Sequence, residues 1–171
     1  MSNYRRRYVP GGTYFFTVRL ARSGDDTLVR QVDLLRTAVR AEKDAHPFEI
    51  LEMVVLPDHL HAIWRLPERD SDFSNRWRRI KSTVSRQLPA RPTSPSKQRR
   101  GEKGIWQRRF WEHQIKSESE LMHYRIYCWH NPVWHGYVSR AVDWPYSSFH
   151  RAVLQGKVSS DWQMVAPRKV G

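Results

Sequence analysis

Phe48-Glu49-Ile50-Leu51-Glu52-Met53-Val54-Val55-Leu56, Pro57-Asp58, then His59-Leu60-His61-Ala62-Ile63-Trp64-Arg65-Leu66: two apolar runs meet at a proline-aspartate turn. The first reads as a strand buried on both faces toward its end. The second is apolar at alternate positions and stops at Pro67, so the two pair as a hairpin. His59 and His61 project from one face of it with Cα atoms about 7 Å apart, and two imidazoles so placed can converge on one ion. In isolation the same pair is two polar residues on a solvent-facing sheet, because His-x-His arises often by chance.

On the N-terminal side of the hairpin, Tyr14-Phe15-Phe16-Thr17-Val18-Arg19-Leu20 follows Gly11-Gly12 and is β-branched and aromatic, a strand. From Asp26 onward Leu28, Val32, Leu35 and Val39 recur at helical spacing until Pro47 closes the segment. On the C-terminal side, Phe73, Trp77, Ile80 and Val84 mark one face of a helix over 73–88. The stretch 89–104 holds three prolines, two serines and two glycines without periodicity, which predicts a mobile loop. Residues 105–115 read as a strand or strand pair, and Ser117-Glu118-Ser119-Glu120 caps a helix running to about Asn131. Pro132 and Gly136 are expected to end it, with a last helix near 146–154. The order β-α-β-β-α-β-α predicts an α/β (α+β) fold on an antiparallel sheet. One domain over 1–155 and a polar tail over 156–171 are expected.

Across 171 residues, 30 Lys and Arg stand against 17 Asp and Glu, a net charge of +13. With 39% hydrophobic content there is enough for one core, and the charge makes a polyanion the first partner to test. No apolar run approaches the roughly 18 residues of a membrane span. The basic N-terminus has no apolar stretch behind it, so no secretory signal is expected. A single cysteine, Cys128, permits no internal disulfide or cysteine-based zinc cluster and suits a cytoplasmic protein. Any metal must then be held by His, carboxylate or amide. No glycine-rich run precedes a Lys-Ser or Lys-Thr, so no nucleotide cofactor is expected.

Tyr127 shares the capped helix with His123, Tyr124 and Asn131, and Tyr127 and Asn131, four apart, point the same way. A tyrosine hydroxyl can attack a phosphodiester and conserve the bond energy as a phosphotyrosine, helped by a divalent ion that polarises the phosphate. The plainer reading is a core aromatic, and Tyr124 is the rival nucleophile one turn away. Basic residues cluster in Arg5, Arg6 and Arg7; in Arg76, Arg78, Arg79, Lys81 and Arg86; and in Lys97, Arg99, Arg100, Lys103, Arg108 and Arg109. Phosphate neutralisation is the functional reading of these patches, a solvated surface the plain one. Of the nearby Trp106, Trp111, Trp129 and Trp134, one or two are expected to reach unpaired bases.

These residues resemble the REP-associated tyrosine transposases, a branch of the single-tyrosine HUH transposases. The likeness runs through Arg5 to Tyr8, Gly11 to Val18, Val55 to Trp64, Ile105 to His113, Asn131-Pro132-Val133-Trp134-His135-Gly136 and Asp143 to His150. It implies a ferredoxin-like sandwich with the histidines on the open face of the sheet and helices behind. It implies metal-dependent nicking and joining of single-stranded DNA through a 5′-phosphotyrosine, at repetitive extragenic palindrome (REP) hairpins. By the same resemblance His59 and His61 hold Mg²⁺ or Mn²⁺, Asn131 is a third ligand, Tyr127 is the nucleophile, and the protein acts as a monomer. The phosphate contacts expected are Arg5, Arg6, Arg7, Arg76, Arg78, Arg79, Lys81, Arg108 and Arg109. Two departures concern substrate preference: Ile126 stands where an acid is common, and Trp134 where a lysine is. The competing readings are a DNA or RNA hairpin-binding module that does not cut, and a hydrolase that uses metal-activated water.

Overall fold

The computed structural model describes residues 6–164. Gly11, at φ 68°, turns the chain into β1 (Thr13–Arg19), which is followed by the single turn α1 (Thr27–Arg30) and by α2 (Val32–Ala45). The hairpin is β2 (Glu49–Val55) and β3 (His59–Arg65). Then come α3 (Phe73–Arg86), α4 (Pro95–Arg99), β4 (Trp111–Ile115), α5 (Glu118–Trp134), a 3₁₀ turn at Ala141–Asp143, and α6 (Phe149–Leu154). The sheet order is β2-β3-β1-β4 with every pair antiparallel, the ferredoxin-like arrangement. β3 and β1 are the two inner strands and both are largely buried, β3 from His59 to Trp64 and β1 at Tyr14 to Phe16 and Val18.

The period of two in β1 and β3 divides the interior between two layers. Tyr14, Phe16 and Val18 of β1 and Leu60, Ala62 and Trp64 of β3 meet α2 and α3. Trp64 stacks on Trp77 of α3, with centroids 4.2 Å apart and planes at 15°. Phe15, Ile63 and Ile115 point the other way and pack with Leu121 and Cys128 of α5. The histidine face therefore carries a helix of its own, and only part of it is open. Buried Glu52 on β2 ties that helix down, accepting from Trp129 Nε1 at 2.9 Å and pairing with Arg125 at 3.2 Å.

Several segments differ from the sequence expectation for identifiable reasons. The 89–104 loop contains α4, capped by Ser94, and is braced where Arg91 pairs with Asp25 and its N–H donates to Lys103 O at 2.8 Å. Of 105–115 only Trp111–Ile115 joins the ladder as a strand. Lys81 Nζ takes the carbonyls of Gln107 and Arg108, at 2.7 and 3.2 Å, and Trp106 makes only an isolated bridge to Leu20. α5 passes through Pro132 to Trp134, because His135 N–H still reaches Asn131 O at 3.1 Å; Gly136, at φ 72°, ends it. Within the expected tail, Val158 and Trp162 pack against Trp129 and Phe149, so packing continues beyond 155.

Candidate metal and tyrosine site

α5 lies across β3 so that one of its stripes follows the two histidines. The ring of Tyr127 is 5.1 Å from that of His61, and the ring of His135, the residue that caps the helix, is 5.1 Å from that of His59. Asn131 lies midway on that stripe, four residues from each, and is 2% exposed. The His59 and His61 rings are themselves 5.1 Å apart.

Each imidazole is held from behind by its Nδ1. Asp58 Oδ1 sits 2.6 Å from His59 Nδ1, while Asp58 Oδ2 accepts the Gly24 N–H at 2.7 Å. Thr17 Oγ1, directly across from His61 in the β1–β3 register, is 2.9 Å from His61 Nδ1. With Nδ1–H given to these oxygens, Nε2 of each ring presents a lone pair forward. Both Nε2 atoms, and Oδ1 of Asn131, are buried acceptors with no hydrogen-bond partner, a costly state for polar atoms unless something binds them.

Burial favours the neutral form of both rings. Burial pushes His59 below its usual value, against the pull of Asp58; burial, with the charge of His59 next, takes His61 down to about 3. Burial alone would raise the Asp58 carboxyl, but the hydrogen bonds from His59 and Gly24 together hold it below the usual carboxylate range. Two neutral nitrogens and an amide oxygen are a donor set that fits a divalent cation. Among the described residues no group of three or more His, Cys, Asp or Glu side chains could hold a metal.

The two tyrosines are now distinguishable. Tyr127 packs edge-on against Phe15 and against His61, whereas Tyr124 stacks on Phe15 at 4.4 Å and meets His113 and His123. Burial, then the charge of Glu120, raises the Tyr124 hydroxyl above its ordinary value. Trp134, 46% exposed, leans on Tyr127 at 5.3 Å. Trp111 is also exposed, while Trp106 and Trp129 belong to the interior. Asp58 and Thr17 were not singled out from sequence. Asp58 reads there as a turn residue, and Thr17 finds His61 only through the strand register.

The basic residues divide sharply. Arg76 is 2% exposed, and its guanidinium is consumed by Asp70, Asp72 O, His46 O and Pro47 O. It stitches α3 to the chain before β2 and offers nothing to a phosphate, which corrects its place among the expected contacts. Arg79 forks onto Glu42 with Nε and Nη2. Burial, reinforced by Arg6, lowers Lys81 to about 8. Arg6 donates to Ser74 and lies 4.0 Å over the Phe110 ring. Arg108 pairs with Glu102 at 2.8 Å yet remains exposed. Arg7, Arg78 and Arg109 are exposed; Arg5 lies outside the described residues.

A ferredoxin-like sheet with a histidine pair facing a helical tyrosine defines a class of DNA transposase, and comparison with known proteins agrees. The family model of IS200-like transposases matches residues 27–128. Within that class the chain belongs to the REP-associated tyrosine transposases, enzymes that cut and transfer DNA strands. It is 46% identical over 162 residues to the REP-associated tyrosine transposase of Escherichia coli K12, covering 95% of this chain and 91% of that one. A Haemophilus influenzae relative is 42% identical over 164 residues, at 95% and 93% coverage. A solved structure of a REP-associated tyrosine transposase bound to a REP hairpin superposes with a TM-score of 0.84 at 44% identity, covering 100% of this chain and 97% of that one.

Proposed function

We propose that this chain nicks and rejoins single-stranded DNA at REP-like hairpins through a 5′-phosphotyrosine on Tyr127, with a divalent cation held by His59, His61 and Asn131. The observation that carries the reading is the group of three buried acceptors without partners, set beside the ring of Tyr127. When bound there, Mg²⁺ or Mn²⁺ supplies Lewis-acid polarisation of the scissile phosphate. The protein's own share is positional. Asp58 and Thr17 fix the imidazoles, Phe15 supports the nucleophile ring from beneath, and Glu52 holds α5 in place over β3. Tyr127 Oη then attacks phosphorus in line and the 3′ oxygen departs. Because the phosphotyrosine keeps the bond energy, the released 3′-hydroxyl, or another, can reverse the step without ATP.

The test is to incubate the protein with single-stranded hairpins and Mn²⁺ and look for nicking with a protein–DNA adduct. Hairpin binding without cleavage would support the non-cutting module instead. Cleavage without an adduct would point to hydrolysis by water. The partner is single-stranded hairpin DNA and the site of action the cytoplasm; among the described residues no helix is long and apolar enough to cross a membrane. All the residues of the proposed site come from one chain, and a monomer of one domain is part of the proposal.

Outer-sphere support is measurable apart from activity. Asp58→Ala leaves the His59 ring free to turn and to change tautomer, so Mn²⁺ affinity by calorimetry should fall about 10- to 100-fold. An unchanged affinity would remove Asp58 from the site.

Hairpin anchoring is proposed on the far side of the sheet. There Arg78, Arg86, Arg100, Lys103 and Arg108 line a cavity of about 600 Å³ between α3 and the segment before β4. Counterion release requires affinity to drop by powers of ten between about 50 and 200 mM salt, and the double variant Arg78→Gln/Arg86→Gln should lower the log–log slope by about 2. A flat salt response in the wild type would sink the electrostatic argument.

A further inference from the structure

Arg19 ends β1 and is paired with His59 in the β1–β3 register. The alternation that buries Val18 against α3 and α2 sends Arg19 to the opposite face, in line with Phe15 and Thr17, where the histidines and Tyr127 are. Its side chain is exposed, and it forms no ion pair among the described residues. The acid within its field is Asp58, but both Asp58 oxygens are engaged, Oδ1 with His59 and Oδ2 with the Gly24 N–H and Ser23 Oγ.

A cation beside two imidazoles that forms no ion pair among the described residues raises the local potential. The arrangement becomes favourable when a dianionic or monoanionic oxygen group enters, and a guanidinium matches two phosphate oxygens at once. Of the other exposed cations considered above, Arg78, Arg86 and Arg108 line the cavity under α3 on the opposite layer. We propose that Arg19 is a catalytic residue that contacts a non-bridging oxygen of the scissile phosphate and stabilises the charge of the pentacoordinate transition state.

This inference rests on the transesterification proposed above. In that step the Tyr127 Oη–P bond forms and the P–O3′ bond breaks. The phenol proton passes to solvent and the departing 3′ oxygen takes one from solvent. Arg19 stays protonated throughout and transfers nothing. Its contribution is to hold charge where the equatorial oxygens gather it, and preorganised donors of this kind are typically worth about 10²- to 10³-fold in rate.

Single-turnover adduct formation on a 3′-labelled hairpin substrate with Mn²⁺ tests it, since the fragment on the 3′ side of the nick is the one that stays on Tyr127. Arg19→Ala should slow the adduct by about 10²- to 10³-fold, with hairpin affinity and Mn²⁺ affinity unchanged. Arg19→Lys should recover part of the rate, as should millimolar guanidinium added to Arg19→Ala. A second substrate carries a methylphosphonate at the scissile position, lacking the charge that Arg19 offsets. On it the gap between wild type and Arg19→Ala should close to less than about tenfold. A full rate in Arg19→Ala, or an equal loss on both substrates, overturns the proposal, the second outcome assigning Arg19 a structural role. A wild type that cuts without forming an adduct overturns the Tyr127 reading on which the proposal stands.

Discussion

Tyr127→Phe should bind hairpin DNA with wild-type affinity and form no covalent adduct, a loss on the order of 10⁴-fold or more, as expected when the attacking atom itself is removed. The substitution deletes only Oη. The ring still meets Phe15, His61 and Trp134, so the layer between α5 and the sheet keeps its packing and the variant should fold. Tyr124→Phe is the matched control: it also loses one hydroxyl on α5, but its ring is stacked on Phe15 and tilted against His113, and the variant should cut normally. A denaturing gel of labelled DNA, with the adducted peptide located by mass spectrometry, reads both variants. An adduct that persists in Tyr127→Phe and disappears in Tyr124→Phe would move the nucleophile one turn along the helix.

The second large effect is expected at the histidines. His59→Ala and His61→Ala should each reduce Mn²⁺-dependent nicking roughly 10³-fold, because Lewis-acid stabilisation is worth several kcal/mol and each 1.4 kcal/mol is a factor of ten. Hairpin affinity should hold, since the cationic cavity lies behind the sheet and the histidines before it. Both residues are 2% exposed, so circular dichroism must accompany the assay. A more conservative pair, His59→Gln and His61→Gln, retains polar volume and separates ligand loss from a collapsed core. Normal cutting in all four variants would mean that the metal is held elsewhere or is not used.

Arg76 and Arg78 show where reading a basic helix by composition stops. They are two residues apart on α3, and nothing in their local pattern separates them. Yet Arg76 is spent on Asp70 and on three main-chain carbonyls, while Arg78 stands in solvent at the mouth of the cavity. A buried guanidinium must find acceptors or destabilise the fold, and its acceptors here come from the turns that precede α3 and β2. Their convergence depends on α2 and α3 packing side by side on the sheet. The same holds for Lys81, whose ammonium takes the carbonyls of Gln107 and Arg108 in the segment before β4.

By itself the sequence determined the hairpin with its His-x-His pair, the capped helix bearing Tyr127 and Asn131, the element order, and the excess of positive charge. All of these are local: alternation of period two, spacing of three and four, cap residues and turn residues act over a few positions and survive without knowledge of the rest. Tertiary structure alone decided which face each helix covers, that α5 lays its Tyr127–Asn131–His135 stripe along β3, that Asp58 and Thr17 orient the two imidazoles, and which arginines remain free. Those facts arise from register between β1 and β3 and from the layer packing of α5, contacts between residues distant in the chain. Such contacts leave no periodic trace, because the energy that selects them comes from burying surfaces that exist only after the sheet has formed.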